Sequence, residues 1–440
     1  MYRLFKSDFF NFEALRLLSF TAHEGGEIAE FFEALGKVKD LDRGSWYAAW
    51  TEAADKAEAL ALAAEQSQNR LAARRAFFRA SNYQRAAQFM LQGGRAADPR
   101  ILIDSENSIS NFWRAVTLLD CTATRLQIPY DAGDGTAPMM LPAYLYLPHP
   151  TKRPASMGAK TPILINTVGG DATQEEIFYI FPMAALELGY AVLTFEGPGQ
   201  GIVLRRHGVP FRPDWEAVVS PVLDYLVGYA AARPTLSLDV DRIALAGSSM
   251  GGYLSLRGAT DARIKACVSS DPFYAMWDML QGRMPQIVSD TFVAGGFVSD
   301  PLWGALASLL GWLDPQTRWE SEQTCWMLGA DGAADMLRRM QQYTLATADG
   351  KGVLSRVRCP VFVTGARHGL YCTPEVSTAR IVEELVNVPE GAKECWIAED
   401  AGEGGLQSKV GAFGVLNQKV FAFLDGVFGV AREMAVGSQD

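Results

Sequence analysis

The chain has 440 residues, of which 49% are hydrophobic and 20% charged, with a formal net charge of −10. This balance supplies a large core and excludes a disordered chain, and the acidic excess argues against a nucleic-acid partner. At about 100–200 residues per domain, the length implies one elaborated domain or two or three domains. No apolar run reaches the ~20 residues of a membrane span, so no membrane partner is expected. The opening MYRLFKSDFFNF lacks a continuous apolar stretch with a small-residue cleavage site, and the ending AVGSQD carries no lipidation or retention signal. These features imply a cytoplasmic protein. Six cysteines without a C-x-x-C pair and only four histidines imply reduced thiols, no metal site and no cofactor.

Residues 1–123 are expected to form a helical N-terminal region. Helical spacing of apolar residues spans Phe10–Leu35, Trp46–Ala64 and Leu71–Leu91, and Asn111–Leu119 closes the region. Two strands, Leu126–Tyr130 and Met139–Leu147, flank the turn-rich DAGDGTAP. Apolar strands then alternate with helices. The strands are Ile163–Val168, Ala191–Phe195, Arg242–Ala246, Ile264–Ser269, Val361–Gly365 and Glu394–Ile397. The helices are Gln174–Leu188, Asp214–Ala232, Gly251–Thr260 and a final Ala412–Val427. Continuous apolar strands between helices imply an α/β class, a mostly parallel doubly wound sheet covered on both faces. The core is expected in two parts, 124–271 and 356–440, with a helical lid over 272–355 between them.

Gly247-Ser248-Ser249-Met250-Gly251 is a G-x-S-x-G motif between a buried strand and a helix. That setting is a nucleophile elbow, where a serine on a strained turn meets a helix N-terminus. The alternative is a plain strand–helix turn with an N-cap serine. An oxyanion hole needs a second donor from the loop after the first core strand, here Val168-Gly169-Gly170-Asp171. Gly170 and the backbone N–H of Met250 are the candidate donors, and Gly169 a substrate contact. Glu196-Gly-Pro-Gly-Gln-Gly201 superficially matches a dinucleotide fingerprint, but Pro198 interrupts it and no helix is expected promptly after it.

The segments MYRLFKSDFFNFEALRLL, SNYQRAAQFML, GGDATQEE, FEGPGQG, GSSMGGY and GEGGLQSKVGAF together resemble a subgroup of α/β-hydrolases. It comprises the fungal polyketide-shortening hydrolases of pigment pathways, hydrolase-like proteins of polyketide–peptide synthase clusters and, more distantly, pseudooxynicotine hydrolases. The resemblance covers nearly the whole chain. It implies an α/β-hydrolase fold and carbon–carbon or acyl cleavage beside a carbonyl, using Ser, His and Asp. The triad departs from that pattern. His368 stands where the acid is expected, and the loop 399–407 contains no histidine, with Gly404 near the expected place. His23, His149 and His207 suit surface or packing roles.

Two chemistries follow. In the first, His368 serves Ser249 as a relocated base, oriented by Glu403 or Asp400, and the enzyme hydrolyses. In the second, hydrolysis is lost, and the oxyanion hole stabilises an enolate or aldolate while His368 moves protons on carbon, for intramolecular aldol or Knoevenagel closure; the plain alternative for His368 is an exposed loop histidine. A third alternative is an inactive binding partner of a synthase. Asp271, ending the fourth core strand, is an alternative acid or a ligand contact, or simply a turn residue before Pro272; Asp278 is a further candidate. Trp277, Trp303, Trp312, Trp319 and Trp326, with Met276, Met279, Met284 and Met327, give the lid an apolar pocket lining or a plain core. Trp277 and Tyr371 are the candidate substrate contacts. The expected partner is a small polyketide or polyketide–amino-acid substrate, handed over by a polyketide synthase. A homodimer through the N-terminal helices is a further expectation.

Overall fold

Strand Thr161–Thr167 (β3) is buried at every position, as its continuous apolar run demands. The computed structural model, which describes residues 3–92, 98–133, 135, 137–281, 300–346 and 352–433, sets this strand in the middle of an eight-stranded sheet. The order is β1-β2-β4-β3-β5-β6-β7-β8. A hairpin of β1 (Thr122–Tyr130) and β2 (Met139–Leu147) forms one edge, antiparallel to β4 (Ala191–Phe195). From β4 onward the pairings are parallel, through β3, β5 (Leu238–Ser248), β6 (Ile264–Ser270), β7 (Val361–Ala366) and β8 (Lys393–Ala398). Each expected strand is present, β2 and β4 with the expected ends and the other six with an end shifted by up to four residues.

The helices differ more. The first expected helix is split into α1 (Asp8–Ser19) and α2 (Ile28–Leu35), with a 3-10 turn and Gly25-Gly26 between them. A Cβ on Gly25 would come within 2.9 Å of the Phe20 side chain, so the chain turns where only glycine fits. Helices α3 (Arg43–Gln66) and α4 (Arg70–Phe89) form an antiparallel pair. Helix α5 (Pro99–Val116) starts well before the expected Asn111, because Asp98 caps it and proline occupies its first turn. A short helix, Gly201–His207, also begins directly after FEGPGQ, against expectation. Its N-terminus is filled from within. Glu196 accepts the Ile202 N–H at 2.6 Å, and a Cβ on Gly201 would overlap that carboxylate. A helix end occupied by the protein's own carboxyl group has no room for a phosphate.

The lid between β6 and β7 contains helices Asp278–Gln281, Asp300–Leu313, Pro315–Leu328 and Ala333–Met340. Met284, the Trp303 side chain and the AVGSQD tail lie outside the described residues. The lid docks on the N-terminal helices. Trp319 packs 4.9 Å from Phe9 and 4.7 Å from Phe89, and its indole N–H donates to the Phe89 carbonyl. Arg43 pairs with Glu322 at 3.1 Å. No helix among the described residues is long and apolar enough to cross a membrane.

Helix α4 joins the sheet through Phe78, whose fully buried ring lies 5.6–5.8 Å from Phe112, Phe178 and Tyr179. Phe78→Ala leaves a cavity at that junction. The expected loss is about 3–5 kcal/mol, read as a lower urea midpoint with an unchanged slope.

Candidate active site

Ser249 has φ 54° and ψ −120°, a conformation that L-residues hold only when the surroundings impose it. Its N–H donates to the Ser270 carbonyl at 2.8 Å, tying the turn to β6. Close approach explains the neighbouring glycines. A Cβ on Gly247 would overlap the Gly251 carbonyl, and Cβ atoms on Gly251 and Gly252 would press at 3.0 Å on the carbonyls of Thr167 and Ser270. Met250 opens the following helix, so its N–H has no partner within the helix ladder.

Three cavities meet at Ser249, and Tyr371 also lines all three. The largest, about 400 Å³, lies under the lid and is walled by Met276, Met279, Met327, Met336, Met340 and Trp319. Gly170 and Met250 stand at its base. A second, about 90 Å³, runs between α1 and the sheet. Asn166 Oδ1, Thr167 Oγ1 and Ser248 Oγ are buried there with no hydrogen-bond partner among the described residues. A third, about 20 Å³, has Asp271 in its wall beside Ser249.

Asp271 ends β6 with φ 48° and is buried. Its Oδ1 accepts the Thr364 hydroxyl at 2.8 Å and the Lys409 ammonium at 2.9 Å, while Oδ2 is buried without a partner. Burial pushes this carboxyl above its usual range and the Lys409 ammonium below its own, and each charge opposes the shift of the other.

Helix α1 places a second charged cluster at the cavity between it and the sheet. Arg16 donates to both oxygens of Glu176 at 2.6 and 2.8 Å and reaches Asp171, next to Gly170, at 3.3–3.4 Å. Glu13 contacts Arg16 at 3.3 Å, and burial pushes its carboxyl up to about 7.

The structure thus gathers Ser249, Met250, Gly169, Gly170, Asp271 and Tyr371 around connected cavities. It leaves three candidates off those walls. His368 is exposed, and its backbone N–H donates to the Gly405 carbonyl at 2.8 Å. Glu403 ends an exposed 3-10 turn after Asp400. Trp277 packs in the core under the lid. Trp312 is 80% exposed, and Asp278 accepts the Ala275 N–H in the first lid turn. No histidine lines any of the three cavities. Lys409, Thr364, Glu13, Arg16 and Asn166 escaped the motif reading. The one legible hint was Glu13-x-x-Arg16, two charges on the apolar face of a helix.

A parallel sheet with a strained serine elbow at its C-terminal edge defines a hydrolase-like enzyme. The chain belongs to the α/β-hydrolase family, whose model matches residues 163–402. It is 48% identical to the α/β hydrolase psoB of Aspergillus fumigatus, over 100% of this chain and 97% of that protein. It is 41% identical to the 20-hydroxy-prefusarin hydrolase FUS2 of Gibberella moniliformis, over 99% and 100%. Among solved structures, a 2,6-dihydroxy-pseudo-oxynicotine hydrolase shares the fold with a TM-score of 0.66, at 21% identity over 94% of this chain and 95% of that one. The family resemblance of the motifs therefore holds, in a fungal group of hydrolases.

Glu13 generates a pH prediction. Its folded value of about 7 lies above the ordinary 4.5. Between these values the native state keeps a proton that the unfolded chain releases, so stability falls as pH rises through this window. Glu13→Gln removes that slope. Relative to wild type, the variant is expected to gain about 3 kcal/mol between pH 4 and pH 8, measured by urea unfolding.

Proposed function

We propose that the enzyme acts at a carbonyl of a polyketide-type small molecule, with the carbonyl oxygen held by the backbone N–H groups of Met250 and Gly170. The observation that carries this reading is the strained Ser249 elbow, which opens at once on a large apolar cavity and on a smaller one that holds unpartnered polar atoms. The apolar cavity suits a carbon chain, with Trp319 and the methionines adapting to its shape. The unpartnered atoms of Asn166, Thr167 and Ser248 suit its polar end. The name of the FUS2 relative supports a small-molecule substrate and hydrolytic chemistry.

In the hydrolytic reaction Ser249 Oγ attacks the carbonyl carbon and its proton passes to Asp271. The tetrahedral oxyanion rests on the two N–H groups. Collapse breaks the acyl or carbon–carbon bond, the leaving group takes the proton, and water releases the acyl group from Ser249.

One observation favours a second reading. With no imidazole on the cavity walls, a carbon acid is an easier proton donor than a serine hydroxyl. Asp271 then takes a proton from the carbon between two carbonyls, the enolate closes onto a further carbonyl in the same molecule, and the alkoxide so formed takes the proton back from Asp271. His368 and Glu403 have no part in either reaction.

The test is product mass from a β-dicarbonyl polyketide or β-ketoamide, with Ser249→Ala and Asp271→Asn in parallel. Hydrolysis gives fragments that sum to substrate plus water, and Ser249→Ala is expected to lower kcat/KM by about 10³ or more. Ring closure gives an isomer or loss of water, with Asp271→Asn the more damaging change. Full activity in both variants contradicts the proposed site, and no product from the wild-type protein leaves it a binding partner of a synthase.

A further inference from the structure

The loop after β8 carries no histidine, yet the space beneath it is filled. Lys409 has no solvent exposure. A Cβ on Gly404 would lie 2.9 Å from its Cδ, so the lysine stem lies directly against the site where the imidazole is expected. The ammonium donates to Asp271 Oδ1 at 2.9 Å and to the Gly365 carbonyl at 2.7 Å, and it sits 4.7 Å from the centre of the Trp396 ring. Its three N–H groups thus meet a carboxylate, a carbonyl and an aromatic face. Ser408 and Lys409 hold φ values of 56° and 59°, left-handed conformations in two non-glycine residues in succession. Such conformations are strained in non-glycine residues, and burying an ammonium is costly as well. Packing alone needs neither.

We propose that Lys409 is a positioning residue that takes over the imidazole's place as a fixed cation, holding Asp271 as a carboxylate whose Oδ2 receives the reaction's proton. The inference rests on the reading of Asp271 as the proton acceptor. The proton that Oδ2 takes from substrate or Ser249 returns to the product or leaving group within the same turnover. Lys409 itself keeps its proton throughout.

The groups facing this pair are few. Thr364 from β7 and the backbone of Ser408 donate to Asp271, and Gln407 Nε2 reaches its backbone carbonyl at 3.4 Å. On β8, the Cys395 thiol acts on Lys409 through space, and Lys419 from the final helix lies 4.9 Å from the same Trp396 ring. Lys409 is therefore the cation in contact with Asp271. Without it, only the hydrogen bonds from Thr364 and Ser408 oppose burial, and the carboxyl moves further up.

The test is the pH profile of kcat/KM for wild type, Lys409→Gln, Lys409→Arg and Asp271→Asn. Lys409→Gln is expected to move the acid limb upward by about one pH unit or more and to lower activity at pH 7 about tenfold or more. An unmoved acid limb in a folded Gln variant overturns the proposal. Lys409→Arg, with a charge that does not titrate, is expected to keep the acid limb and to push the alkaline limb higher. An alkaline limb that stays in place overturns the proposal, even if the Gln variant fails to fold. Asp271→Asn separates the two levels. Its full activity removes the site reading and this inference together, whereas its inactivity beside unmoved Lys409 profiles removes only the role of Lys409.

Discussion

A serine held at φ 54° between β5 and the helix that follows is the constraint on which the rest of this structure depends. The conformation survives only because the chain crowds in from three sides. β6 takes the Ser249 N–H through Ser270, β3 brings Thr167 against Gly251, and Gly247 lets the helix return over its own strand. Any side chain at these glycines pushes one of the strands away. The buried parallel sheet is thus the rigid frame that keeps a strained turn in place at its C-terminal edge, where crevices of such sheets open.

Two buried cations flank that turn, and each comes from outside the regular sheet. Arg16, on the first helix, reaches both Glu176 and Asp171 and so fixes the glycine loop opposite Ser249. Lys409, from the loop after β8, fixes Asp271. Isolated buried charges are expensive, and these are affordable only as pairs with further hydrogen bonds around them. The N-terminal helices therefore form part of the site's wall. They also carry the lid, since Phe9 and Phe89 hold Trp319, which in turn lines the large cavity.

Much of this was legible in the sequence, for reasons that differ by element. The strands were visible because each is a short apolar run buried on both faces. The elbow was visible because G-x-S-x-G sits where a strand becomes a helix. Helix ends were less visible. Gly25-Gly26 broke an apolar pattern that read as continuous, and the Asp98 cap started α5 early. The helix at Gly201 was missed because its N-cap partner, Glu196, acts across a loop. The charged cluster was the hardest to see. Asp271 and Lys409 lie 138 residues apart, and their contact depends on how β6 and the last loop close together. His368 drew attention by its position in a motif, yet it is exposed and off the cavity walls. Exposure and cavity walls are properties of the folded chain, and spacing alone carries neither.

The central claim is that a substrate carbonyl lies between Ser249 and the N–H groups of Met250 and Gly170. The most direct test is a crystal structure with an unreactive α,α-difluoro-β-ketoamide. The account predicts the carbonyl or hydrate oxygen at about 3 Å from both N–H groups, with the carbon beside Ser249 Oγ and the chain under the lid. An analogue seated elsewhere, or one whose oxygen faces Arg16 in the cavity beside α1, contradicts it.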